Sequence, residues 1–312
     1  MIFQGVHLQI NDGGFSTMSY VLSCCSTADL TPEHFKARNI EYICFHYELD
    51  GVTYPDDLGV TMSFDEFYKA MAKGAMTKTS QVNVDEYTVY FRKFLEEGKD
   101  IVHLSLSSGI SGSVNSARIA AEMLAAEYPD NKVYVVDSLC AASGYGLLMD
   151  KLADLRDAGL TAEELAKWAE DHKKELHHWF FTTDLTYLVR GGRVSKLSGW
   201  FGTALNICPL LNVDNEGKLS AKKKARGKKK VIEAMVEQME KHAVDGLNYS
   251  GKCYMCSSAC MEDAKAVSDI IETKFPKLDG KVEHYSIGTT IGAHTGPGTV
   301  ALFFWGDTNK EV

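Results

Sequence analysis

The chain has 312 residues, 45% of them hydrophobic, enough for one large or two medium domains with their own cores. Lys+Arg 33 against Asp+Glu 42 leaves a net charge of −9, which argues against nucleic acid as a partner. No apolar run approaches the roughly 20 residues that span a bilayer.

Residues 1–17 lack the basic start and apolar centre of a secretion signal and read as a leader or extension. From residue 18, apolar runs rich in β-branched residues alternate with amphipathic stretches. Residues 19–22, 42–45, 101–106 and 133–136 read as strands; 62–74, 84–98 and 112–128 have helical periodicity. Strands alternating with helices predict a mainly parallel sheet, an α/β class. After residues 143–146 (SGYG) the pattern predicts a helix over 147–158. A second helix, to residue 174, is opened by Thr161 and Glu164 at capping-box spacing. Strands follow at 179–182 and 205–213, then a basic run over 222–230, a helix to residue 242, strands near Lys252 and Val282, and a closing strand at 300–305. No repeat or long linker interrupts the chain. We read two closely packed α/β lobes, 18–155 and 156–312.

The eight cysteines, in a chain this size, need no disulfide framework and point to a reduced, cytoplasmic protein. Cys253 and Cys256 have the spacing of half a zinc site, but no second ligand pair follows and the run reads as a buried strand. No metal or other cofactor is expected.

Three short segments carry the chemistry: Lys78-Thr79-Ser80-Gln81, residues 107–112 (SSGISG), and residues 292–298 (GAHTGPG). They are rich in hydroxyls and glycines, which hold an anion well. The serine turn sits between a strand and the helix that begins near Gly112, where backbone N–H groups and the helix dipole favour negative charge. Each residue also has a plainer role to fill. Thr79 and Ser80 could cap the helix beginning near Val84, the serines could satisfy turn amides, and a lone histidine such as His294 is usually structural. A GxxxxGK[ST] or GxGxxG loop after a strand is missing, so no nucleotide site is expected.

In order along the chain, residues 26–29 (STAD), 79–81 (TSQ), 107–112, Asp137-Ser138, 190–193 (RGGR), 224–229 (KARGKK) and 296–298 (GPG) resemble the motif set of the DegV family of bacterial fatty-acid-binding proteins. That family includes the lipid-carrying subunit of fatty acid kinase. The resemblance implies a long-chain fatty acid buried between the lobes, its carboxylate bonded by Thr79 and Ser111, with Ser80, Ser108 and His294 nearby. It also implies a kinase partner docked at the basic run through Arg226, with Lys224 and Lys228 beside it. By its charge alone the run reads as a solvated face, or as a surface for an acidic protein or for transient membrane contact. Cys25 stands where the family has an aspartate, and Val82 and Asn83 where it has proline and serine. Burying a sixteen-carbon chain is worth on the order of 10 kcal/mol, so the head group sets direction more than affinity. A contrasting expectation is a serine acyl hydrolase with Ser108 or Ser111 as nucleophile and His294 as base, although the GxSxG elbow is absent.

Overall fold

A computed structural model describes residues 20–194 and 207–310. The leader at 1–17, the start of the first expected strand and the stretch 195–206, which includes the start of the strand expected at 205–213, lie outside the described residues.

The first half contains β1 (Tyr20–Cys25), α1 (Pro32–Ala37), β2 (Glu41–Ile43), β3 (His46–Leu49), β4 (Val52–Pro55), α2 (Phe64–Ala72), β5 (Thr77–Ser80), α3 (Val84–Leu95), β6 (Asp100–Ser105), α4 (Ser113–Ala125) and β7 (Val133–Asp137). Two helices, α5 (Ala142–Asp157) and α6 (Ala162–His172), lead to the second half. There β8 (Leu176–Thr182), α7 (Thr186–Arg190), β9 (Ile207–Val213), β10 (Leu219–Arg226), α8 (Lys228–His242), β11 (Tyr254–Ser257), α9 (Met261–Lys274), β12 (Glu283–Ser286), α10 (Thr289–Thr295) and β13 (Thr299–Trp305) complete the chain.

The expected parallel sheet is present, ordered β2-β1-β6-β7 with every pair parallel. The second half builds a six-stranded mixed sheet, β10-β9-β8-β13-β11-β12. Sequence reasoning missed the small antiparallel sheet β4-β3-β5, which places Thr79 opposite Tyr47. Thr79 and Ser80 are thus strand residues. The cap of α3 is Asn83, whose Oδ1 accepts from Glu86 N at 3.0 Å while Glu86 Oε2 accepts from Asn83 N at 2.8 Å. Thr161 caps α6 with Glu164 as the spacing predicts.

Helix α5 lies between the two large sheets. Its Leu147, Leu148, Met149 and Leu152 share one core with Leu22, Val102 and Leu104 of the parallel sheet and with Phe180, Tyr254 and Phe303 of the mixed sheet. On the outer face of the mixed sheet, Trp179, Phe181, Leu302 and Phe304 pack under α8 and α9 in a second core. All eight cysteines are free thiols. Cys253 belongs to that outer core and Cys256 to the inner one, so they face opposite sides of the sheet and cannot hold one ion together. Among the described residues no helix is long and apolar enough to cross a membrane.

Candidate functional site

A cavity of about 620 Å³ opens between the parallel sheet, the small sheet and the mixed sheet, within the size range of small-molecule sites. Its walls include Phe45, Leu106, Ile110, Phe180, Leu188, Ile287, Ile291 and Phe303. Polar groups gather where β5, the turn before α4 and α10 meet: Thr79, Ser80, Gln81, Ser111, Arg193 and His294.

The position of His294 differs from the sequence expectation of a glycine-rich turn, because tertiary contacts override weak local propensity. Residues 289–295 form α10, and two acceptors pin its start. Asp56 Oδ1 accepts from Thr289 Oγ1 at 2.8 Å and its Oδ2 from Thr290 N at 3.2 Å. Gly292 is required, since a Cβ there would lie 2.2 Å from the hydroxyl of Tyr68, which donates to Ile287 O. The helix is then tied to β5 by two threonines. Thr77 Oγ1 donates to Ala293 O at 3.3 Å, and Thr79 Oγ1 and His294 Nε2 are 2.8 Å apart. Gly191 allows the close approach of the other ring nitrogen, for any side chain there would meet His294 Nδ1 at 2.3 Å. Burial, reinforced by the Arg193 guanidinium, lowers the pKa of His294 to about 4, so the ring is neutral at pH 7.

The serine turn divides its hydroxyls between two jobs. Ser107 is buried and donates to Gly217 O at 2.7 Å, tying the turn to the β9–β10 hairpin. Ser111 accepts from Ser113 N at 3.2 Å, which leaves its own proton for an acceptor in the cavity. Gln81 is fixed by donating to Ser116 Oγ at 3.1 Å. Ser108, expected in the head-group set, is exposed and does not line the cavity. The turn rotates its side chain outward while its N–H donates to Asp137 Oδ1 at 3.1 Å. Thr79, Ser80, Ser111 and His294 do converge. In the sequence Arg193 entered only as the last residue of the RGGR motif. It lines the cavity, donating from Nη1 to Gly191 O at 2.6 Å, and among the described residues is the cationic side chain at the polar end.

The hydrolase geometry is not formed. His294 pairs with Thr79 rather than with Ser108 or Ser111, and its Nδ1 has no partner to orient it among the described residues. A cluster of His177, His242 and Asp307 brings three metal-ligating types together elsewhere. It does not fit a metal. His177 Nδ1 accepts from Trp179 Nε1 at 3.2 Å and its Nε2 faces the Asp307 carbonyl at 2.8 Å, so both ring nitrogens are used.

The basic run is split by the fold. Lys222, Lys224 and Arg226 lie on β10, the edge strand of the mixed sheet, and Gly227 turns the chain into α8 at Lys228. Lys224 and Arg226 are exposed; Lys228 pairs with Asp263 at 2.7 Å.

Comparison with known proteins agrees with this architecture. A DegV domain-containing protein of Clostridium perfringens is 34% identical over 291 residues, 93% of this chain and 99% of that one. A fatty acid-binding protein of Thermotoga maritima is 32% identical over 282 residues, 89% of this chain and 94% of its own. Among solved structures, a stearic acid-binding protein of Eubacterium ventriosum superposes with a TM-score of 0.83 at 25% identity, covering 93% of this chain and 99% of that one. The family model described as "uncharacterised protein, DegV family" matches residues 25–307, and the chain belongs to the DegV family.

Proposed function

We propose that the chain binds a long-chain fatty acid. Its carboxylate is bonded by Thr79 and Ser111, with His294 and Arg193 beside it, and its acyl chain fills the apolar cavity between the lobes. It acts as a cytoplasmic carrier and not as an enzyme, presenting the head group for phosphorylation by a separate fatty acid kinase. The observation that carries the reading is the convergence of hydroxyl donors, a neutral histidine and an arginine on one end of a cavity walled mainly by apolar side chains. A charged acceptor strengthens such bonds roughly twofold over neutral ones, and the apolar walls supply the larger share of affinity. The relatives named as fatty acid-binding support the ligand class.

The basic run suits the kinase. Lys228, Lys229 and Lys230 occupy the first turn of α8, where positive charge opposes the helix dipole at a cost of about 0.3–1 kcal/mol each. Two measurements test the reading. Native mass spectrometry of the purified protein should find one free fatty acid per chain; a protein consistently empty of any acid, or one carrying a covalent acyl-serine, sinks it. Arg226→Ala combined with Lys228→Ala should keep lipid content while slowing phosphorylation of the bound acid, an effect that salt mimics in the wild type. Normal phosphorylation of that variant removes the run from the mechanism.

A further inference from the structure

Gly288, the residue before α10, meets two carboxyl groups that no cation offsets. A Cβ there would lie 2.5 Å from Asp29 Oδ1 and 3.5 Å from Asp56 Oδ1, so the two acids reach the same point from different parts of the chain. Both are buried, at 4% and 1% exposure. Asp56 is engaged, accepting from Thr289 Oγ1 and from Thr290 N. Neither oxygen of Asp29 has a hydrogen-bond partner among the described residues. Its backbone is fixed all the same: its N–H donates to Ser26 O, and Ser143 Oγ of α5 donates to its carbonyl. The titratable groups that face Asp29 are Asp56 from the segment after β4, Tyr68 from α2 and Cys256 from β11. None of them is a cation.

Two buried carboxylates side by side lose their hydration and repel each other, and a single proton relieves both penalties. Burial, with the Asp56 charge adding to it, holds the Asp29 carboxyl well above the usual carboxylate range. Burial raises Asp56 as well, but the donors from Thr289 and Thr290 oppose it, so the proton of the pair rests on Asp29. We propose that Asp29 is a positioning residue that works as a neutral acid: its proton lets the start of α10 sit against Asp56, and so holds His294 against Thr79 at the polar end of the cavity. Tyr68, which donates to Ile287 O, steadies the same joint. Deprotonation puts a second negative charge beside Gly288, and the repulsion is relieved when the joint parts. The helix then loses the start that Asp56 pins, and a bound fatty acid loses its head-group contacts. Binding is strong while Asp29 keeps its proton and weakens as pH rises through the point where the proton leaves. This rests on the proposed function and adds to it an alkaline release.

The test has two readouts. Infrared spectra of delipidated wild-type protein labelled with ¹³C-aspartate should show at pH 7 the carbonyl band of a protonated aspartic acid, absent from Asp29→Asn. Titrations with stearate at rising pH should show affinity falling roughly tenfold for each pH unit beyond the point where that band disappears, while Asp29→Asn, which keeps the shape and cannot ionise, retains binding with a flat profile. A purely structural role would weaken binding by the same factor at every pH, so profiles of the two proteins that run parallel overturn the proposal. If Asp29→Asn fails to fold, the wild type decides: no neutral-acid band at pH 7, or a band that persists through the pH at which stearate is released, overturns it. A cation held between the two carboxyls would leave both ionised, remove the band and make affinity follow the sodium or magnesium concentration, and that result overturns it too. Failure to bind stearate or any other long-chain acid at any pH counts against fatty-acid binding itself, a different outcome, since the infrared band is read without ligand.

Discussion

The two ends of the cavity are built on different principles. The wall formed by β8 and β13 is a product of strand register: seven paired positions, from Thr299–Thr182 to Trp305–Leu176, send alternate side chains inward without any special contact. The polar end is assembled from β5, the turn before α4 and α10, short pieces that come together only through side-chain bonds such as Thr79–His294 and Asp56–Thr289. A wall set by register tolerates changes of chain length and shape in its ligand. A corner set by individual bonds fixes one functional group and tolerates little.

That contrast can be broken most forcefully on the wall. Ala301 sits among the cavity residues beside Phe180, and Ala301→Phe should occupy the space of several methylenes. Lipid occupancy in native mass spectra should fall by more than tenfold, because each displaced methylene removes about 0.8 kcal/mol. Unchanged occupancy, with circular dichroism showing an intact fold, would mean the acyl chain runs elsewhere.

A smaller effect is expected at the polar corner. Thr79→Val and Ser111→Ala each remove one bond to a charged acceptor, about 1.5–3 kcal/mol, so binding titrations should show affinity falling by roughly tenfold to a hundredfold. The double variant should fall short of the sum, since both bonds end on one carboxylate. Full additivity would place the two side chains on separate ligands or separate roles.

The smallest effect is a proton. A bound carboxylate favours the charged form of His294, whose pKa burial and the Arg193 charge otherwise lower to about 4. At pH 6, calorimetry in buffers of different ionisation enthalpy should therefore record uptake of a fraction of a proton on binding, lost in His294→Gln. The same depressed pKa has a stability sign. Between about pH 4 and 6.5 the unfolded chain holds more protons than the folded one, so this histidine's contribution weakens as pH falls through that window.

Much of the register-built part was legible in the sequence, because β-branched runs between amphipathic helices state their own period. The parallel sheet, the capping box at Thr161 and the strand at 300–305 needed nothing beyond local pattern. The bond-built corner was legible only in its residue types. Hydroxyls and glycines marked Thr79, Ser111 and His294, but β5 spans four residues (TKTS) without an aliphatic side chain, and α10 contains Gly292 and three threonines, so neither announced its secondary structure. Ser108 was misplaced because adjacent turn residues point in opposite directions, which composition does not record. His178 carried no local signal, and Arg193 only that of the RGGR motif, which did not mark it as a cavity residue. One lay in an apolar strand and the other in a turn, and only the tertiary arrangement brings them to the cavity.

The bond between Thr79 and His294 joins residues 215 apart, and it has a consequence for how the protein is made. While the chain is being synthesised, the strands of the parallel sheet are complete with β7 and its packing helices α5 and α6 follow, yet the polar corner stays incomplete until α10 has emerged. A chain cut short before residue 289 lacks the Thr79–His294 bond and should lose fatty-acid binding.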